Sequence, residues 1–172
     1  MGAPMYFDDV KTILGDPGLP VPERLLRLQG WREAELDQAV AAGLAMRLGP
    51  AACTALGVAG LVTRSALLYV ALAAASAVGV FARNHPVELL WVWWARRRSL
   101  AVPPCNRTGR RFACFVAATL FALAGLGAAA GLPVLLYVSG VAMVVVPLFV
   151  AVTNLCLPSL VLTVLIGADR VA

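Results

Sequence analysis

The sequence predicts an all-α membrane protein: four transmembrane helices arranged as two hairpins, an interfacial amphipathic helix between them, and a helical N-terminal cytoplasmic arm. Three observations predict it. Residues 48–82 are almost entirely apolar and are interrupted only by Arg64. Residues 112–167 carry no charge. Between these blocks lie Arg83, Arg96, Arg97, Arg98, Arg107, Arg110 and Arg111 against a single acid, Glu88. Hydrophobic residues make up 61% of the 172-residue chain and charged residues 13%, half the usual charged share of about 25%. So few polar groups cannot cover a water-facing surface, and lipid is expected to cover it instead.

The two apolar blocks hold about 35 and about 55 residues, against about 20 for one spanning helix. The first block suffices for two short spans, the second for two spans and a short extra segment. Helices are required because unpaired sheet edges are not tolerated in lipid. The chain divides into a cytoplasmic amphipathic arm (1–46), a first transmembrane hairpin (47–82), a basic cytoplasmic loop with an interfacial helix (83–111), and a second hairpin with a short tail (112–172).

In the arm, residues 6–14 suit a short helix, while Gly15-Asp16-Pro17-Gly18 and residues 20–22 read as turns. Pro22 fits the first turn of a helix running through Leu28, and Gly30 breaks it. A second helix over 31–46 places Leu36, Val40 and Leu44 on one apolar stripe. Residues 1–22 include Asp8, Asp9, Lys11 and Asp16 and lack the apolar core of a signal peptide, so the first span is expected to direct insertion.

The first span is expected over 48–62, with Arg47 reaching to the headgroups. Ala51, Ala55 and Ala59 form a ladder of small residues, and Ala71, Ala75 and Gly79 repeat it in the second span, 66–81. Small residues let helix backbones approach closely in lipid. Thr63-Arg64-Ser65 reads as the turn between them. The third span, 112–131, carries Gly127 and Gly131 as further packing steps, and Gly131-Leu132-Pro133 gives a tight return. The fourth span begins near Pro133 and contains Pro147, which removes a helix hydrogen bond and predicts a kink. Asn154-Leu155-Cys156-Leu157-Pro158-Ser159 interrupts the apolar run, and 159–166 continue as a short helix.

Between the hairpins, Asn84-His85-Pro86 starts a different element. About a dozen residues cannot span a bilayer. With Trp91, Trp93 and Trp94 beside Arg96, Arg97 and Arg98, the segment reads as a helix lying in the interface. These residues, with Trp31 of the arm, are the candidate contacts to membrane lipids and to partner subunits. The arginine excess beside the apolar blocks suits anionic headgroups rather than nucleic acid. It also places the loop in the cytoplasm by the positive-inside rule. Four spans then put both termini there, in a bacterial inner membrane.

Few residues carry chemistry. His85 is the single histidine, which excludes a multi-histidine metal site; it is the one weak candidate for contact with a cofactor or pigment. No catalytic or metal-ligating set emerges, and no motif encodes a cofactor, although a bound lipid or pigment is compatible with the spans. Cys53, Cys105, Cys114 and Cys156 form no C-x-x-C and all lie toward the reducing cytoplasmic side, so disulfides are not expected. No span has a charge at its middle, the usual marker of a transport pathway. Asn154 is expected to satisfy backbone at the break.

Gly140-Val141-Ala142-Met143-Val144-Val145-Val146-Pro147, followed by Asn154-Leu155-Cys156-Leu157-Pro158-Ser159, resembles a bacterial four-helix integral-membrane family known as a domain of unknown function. Its members share a valine-rich run ending in proline and then a phenylalanine-cysteine-x-glycine-cysteine-like element. His85-Pro86 and Arg110-Arg111-Phe112-Ala113 resemble the family too. The resemblance covers roughly residues 45 to 170. Some members are encoded near thioredoxin-like or sulfurtransferase-like proteins, which implies thiol chemistry. This chain has Ser159 where the family has its second cysteine and Pro158 in place of the preceding glycine, so that dithiol cannot form here. The arm is additional to the family.

The expectation is therefore a non-catalytic accessory or structural subunit that packs within a larger membrane complex, respiratory, photosynthetic or transport. The alternatives are a membrane thiol-redox protein using Cys156 and a lipid-interacting membrane protein.

Overall fold

The structure is a computed structural model and describes residues 21–29, 31, 33–82, 86–98, 102 and 107–166. The expected elements at 6–14 and 15–20, with Asn84, His85, Cys105 and the 169–170 tail, lie outside the described residues. Among the described residues every regular element is a helix: α1 Val21–Leu28, α2 Glu33–Ala41, α3 Gly43–Thr63, α4 Ala66–Phe81, α5 Pro86–Arg97, α6 Arg107–Ala129, α7 Pro133–Thr153 and α8 Leu157–Ile166. Three of them, α3, α6 from Thr108, and α7, are long and apolar enough to cross a membrane. The fourth apolar helix, α4, is shorter, with 16 residues.

Local chemistry explains most of the boundaries. Pro22 sits in the first turn of α1, where its missing N–H costs nothing, and Glu23 and Arg27 suit the positive and negative helix ends. Arg64 adopts a left-handed conformation (φ 50°) that ends α3. Ser65 then caps α4, its hydroxyl accepting from the Leu68 N–H at 3.2 Å. Gly131 takes φ +66° in the α6–α7 turn, a conformation that glycine reaches without steric cost. Pro133 follows in the first turn of α7. Asn154, also left-handed (φ 59°), ends α7, and 154–156 form the expected break before α8.

The packing departs from the expected hairpins. Helix α4 lies chiefly along α6, and α3 along α7; α6 and α7 also pack together, and α8 turns back onto α6. The helices of the first hairpin make only a minor contact with each other. Accordingly Ala51, Ala55 and Ala71 are exposed, and Ala59 and Ala75 only half-buried. Of that ladder Gly79 alone is buried. The packed faces are one register away: Gly49, Gly57 and Gly60 on α3, and Tyr69, Leu72, Ser76 and Gly79 on α4. Four-residue steps of alanine recur on several faces of so alanine-rich a chain. Only a glycine removes the Cβ where backbones meet. Gly127 stands as a packing residue, since a Cβ there would lie 2.5 Å from the Leu136 nitrogen. Gly131 does not; it is exposed, meets nothing, and makes the turn.

Tyr69 occupies the centre of the bundle with 0% exposure. It packs on the Phe121 ring, centroids 6.2 Å apart. Gly60 of α3, Gly125 of α6 and Gly140 of α7 make room for it: a Cβ at these positions would fall 2.8, 3.2 and 2.8 Å from Tyr69 atoms. Leu72, Ala124, Leu136 and Met143 complete this core. Pro147 lies inside α7, buried, and the helix continues past it. It leaves the Met143 carbonyl without its helical donor. Gly57 faces that carbonyl so closely that a Cβ would come within 3.2 Å.

The arm has a separate small core. Leu26, Trp31, Leu36 and Ala39 pack together, joined by Met46. Trp31, expected at a partner surface, is only 8% exposed. The buried stripe runs through Leu36, Ala39, Ala42 and Ala45, while Val40 and Leu44 point outward. The chain breaks at Ala42 between α2 and α3 instead of continuing to 46, so the four-residue stripe expected across that point does not form. Likewise the basic loop expected up to residue 111 is already helical from Arg107; arginine is a good helix former, and it extends α6 as a polar first turn.

Candidate functional site

One cavity of about 460 Å³ opens among the α3 start, the α4 end, the α6 start, the α7 end and α8. Its walls are mostly apolar, with Val116, Leu120, Met143, Val146 and Val150 among them. Such a volume and lining fall within the usual range for small-molecule sites, about 300–1,000 Å³ with a few placed polar groups. The polar groups here come from six segments that sequence reading did not connect.

Glu88 projects from the inner face of α5, which buries Glu88, Val92 and Ala95 at i, i+4 and i+7. Its Oε2 accepts from the Arg110 guanidinium of α6 at 2.6 Å. Gly49 lies alongside, and a Cβ there would sit 3.4 Å from the Glu88 Oε1. Glu88 and Arg110 both line the cavity, together with buried Ser76. The lone acid among seven arginines was the available signal for this pair.

The arm supplies the second polar element. Gln29 is 3% exposed and lines the cavity beside Trp31. Its Nε2 donates to the Leu25 carbonyl at 2.8 Å and to the Asn154 carbonyl at 2.9 Å. Its Oε1 accepts from the Cys156 N–H at 2.9 Å. The opened backbone at 154–156 is thus satisfied by a side chain 125 residues away in sequence. Asn154 contributes differently from the expectation: its Nδ2 donates to the Gly43 carbonyl at 3.4 Å, tying the break to the start of α3.

Cys53, Cys114 and Cys156 are free thiols, and all three line the cavity. Among the described residues no three His, Cys, Asp or Glu side chains come together as a metal site. His85, the weak cofactor candidate, lies outside the described residues.

The outer face of α5 carries the remaining predicted residues. Trp93 and Trp94 are exposed, 56% and 41%. Trp91 is half-buried and packs on Trp94 with ring centroids 5.0 Å apart. The Arg97 guanidinium stands 3.9 Å from the Trp93 ring centroid, and that of Arg98 5.9 Å from Trp94. Arg96 is exposed. The Trp91 Nε1 is buried without a hydrogen-bond partner among the described residues. Of the residues expected at that surface, Trp93, Trp94 and the three arginines are exposed, Trp91 is half-buried and Trp31 is buried.

Long apolar helices around an internal cavity, with an aromatic and basic helix at one end, define a helical membrane protein. The chain belongs to the family described as Domain of unknown function (DUF4395), whose model matches residues 44–166. No curated protein and no solved structure matches it. The match runs from the second residue of α3 to the last of α8, so the cavity's helices form the family frame. The arm that brings Gln29 and Trp31 lies outside it.

Proposed function

We propose that the protein crosses a bacterial inner membrane four times, through α3, α4, α6 and α7, and binds one amphipathic, lipid-like molecule in the cavity without chemically transforming it. The cavity carries this reading: apolar walls for an acyl-type chain, with the Glu88–Arg110 pair as the polar group beside which a head would lie. Helix α4, at roughly 24 Å for its 16 residues, is a short span that lies along the longer α6. The arginine asymmetry favours both termini and residues 96–111 on the cytoplasmic side, which puts the cavity in the cytoplasmic half of the bilayer.

The test is native mass spectrometry of the intact protein released from lipid nanodiscs. One retained amphiphile per chain is expected, and its loss in Ala117→Phe, where the added ring enters the cavity from α6. An empty wild-type protein, or equal occupancy in the variant, would overturn the reading.

A second reading, an accessory subunit of a larger membrane complex, is favoured by the exposed face of α5. Tryptophan and arginine are the residues that most often anchor interfaces. Replacing Trp93 and Trp94 by alanine should then release the inserted protein from its native assembly. Co-purification at unchanged stoichiometry would leave α5 as a lipid-facing helix alone.

A further inference from the structure

Building on the cavity reading, we propose that the arm α1–α2 is a lid over the cavity, latched by the Gln29 side chain on the α7–α8 break. Four observations carry it. Gln29 and Trp31 are cavity-lining residues, so the arm forms part of the wall. The arm's buried residues pack on one another, around Leu26, Trp31, Leu36 and Ala39, in a core distinct from the one around Tyr69. A segment with its own core moves as a unit instead of melting. Two of its ties elsewhere run through side-chain amides: Gln29 to 154 and 156, and Gln38 Nε2 to the Val102 carbonyl at 2.9 Å. Such hydrogen bonds contribute little net stability each, since water replaces them on opening. Finally, the helix breaks at Ala42, immediately before α3, which supplies a pivot at the rim.

The latch has a specific chemistry. Gln29 offers a donor to the Asn154 carbonyl and an acceptor to the Cys156 N–H, a matched pair that no apolar residue and no carboxylate reproduces. When the lid swings out, the N–H and C=O of the break, whose side chains Asn154 and Cys156 already line the cavity, meet water or the entering polar head. When it closes, the amide restores both bonds and Trp31 and Gln29 cover part of the apolar volume. Release of these two contacts is the step that admits or frees the bound molecule. The lid lies outside the residues that the family model matches.

The native thiols report on the lid directly, because Cys53, Cys114 and Cys156 line the cavity. The intact protein in nanodiscs is treated with N-ethylmaleimide, and the labelling rate of each cysteine is followed by peptide mass. Gln29→Ala should speed labelling at Cys53 and Cys114 by roughly tenfold, the effect of two modest hydrogen bonds, with the unfolding temperature of the bundle unchanged. Gln29→Glu should do the same, since a carboxylate facing the Asn154 carbonyl keeps the size and loses the donor. Unchanged rates in both variants, or a faster rate matched by a fall in unfolding temperature, would overturn the lid and leave Gln29 as a structural cap. If neither variant folds, Gln38→Ala, which cuts the tie remote from the cavity, must raise the same rates; no change there overturns the proposal too. Labelling needs no bound molecule, so its outcome is separable from the occupancy that tests the amphiphile reading.

Discussion

Glu88 and Arg110 meet at 2.6 Å in the wall of the cavity, joining α5 to α6. Both side chains are largely shielded, with 10% and 17% exposure. Removing one partner leaves a charge in a poorly hydrated place, whereas removing both does not. Glu88→Ala alone is expected to destabilise the protein near the lower end of the ~3–5 kcal/mol range for broken buried pairs. The double variant Glu88→Leu with Arg110→Met should recover most of that loss. Thermal unfolding of the singles and the double in one detergent measures the coupling; additive losses would show that the pair contributes nothing beyond packing.

The glycines at close helix contacts, around Tyr69 and at Gly127, are expected to be the intolerant positions of the bundle. Gly140→Ala brings a Cβ to 2.6 Å from the Leu61 Cδ2 and 2.8 Å from the Tyr69 hydroxyl, and Gly127→Ala brings one to 2.5 Å from backbone. Overpacking of this kind costs about 1–3 kcal/mol, with Gly127→Ala the worse because backbone cannot rotate away. Ala55→Leu, on an exposed face, should leave the unfolding temperature unchanged. Equal sensitivity at Ala55 would return the packing seam to the alanine ladder.

Orientation is checked with single cysteines in a background lacking the native four. In intact cells an impermeant maleimide should label Arg64→Cys, which ends α3 at the far turn. It should reach Arg98→Cys, at the end of α5, only after the membrane is opened. The reverse pattern would invert the protein.

Cys156→Ser is expected to keep both the fold and the cellular role. The contact that Cys156 makes with Gln29 uses its backbone N–H, not its sulfur, and Ser159 stands where a dithiol partner would be. Loss of the role at normal protein level would favour thiol chemistry in the cavity, with Cys53 and Cys114 as the remaining candidates.

The sequence by itself determined the helical membrane character, the order of the apolar segments and their turns. These rest on local chemistry: unbroken apolar runs, a left-handed glycine at 131, a proline that can only begin a helix at 133, and the break after Thr153. The tryptophan- and arginine-bearing outer face of α5 was legible too, since these residues crowd into one short helix. The family resemblance was legible over nearly the span that matched. Tertiary structure decided the partners. Which of several small faces packs depends on where Tyr69 sits, and that depends on glycines from three other helices. It also brought together the cavity, whose polar groups come from residues 29, 76, 88, 110, 154 and 159. Each of those residues, read in its own segment, is an ordinary cap, headgroup contact or helix polar group. Only the distances between segments, which no local pattern encodes, turn them into one site.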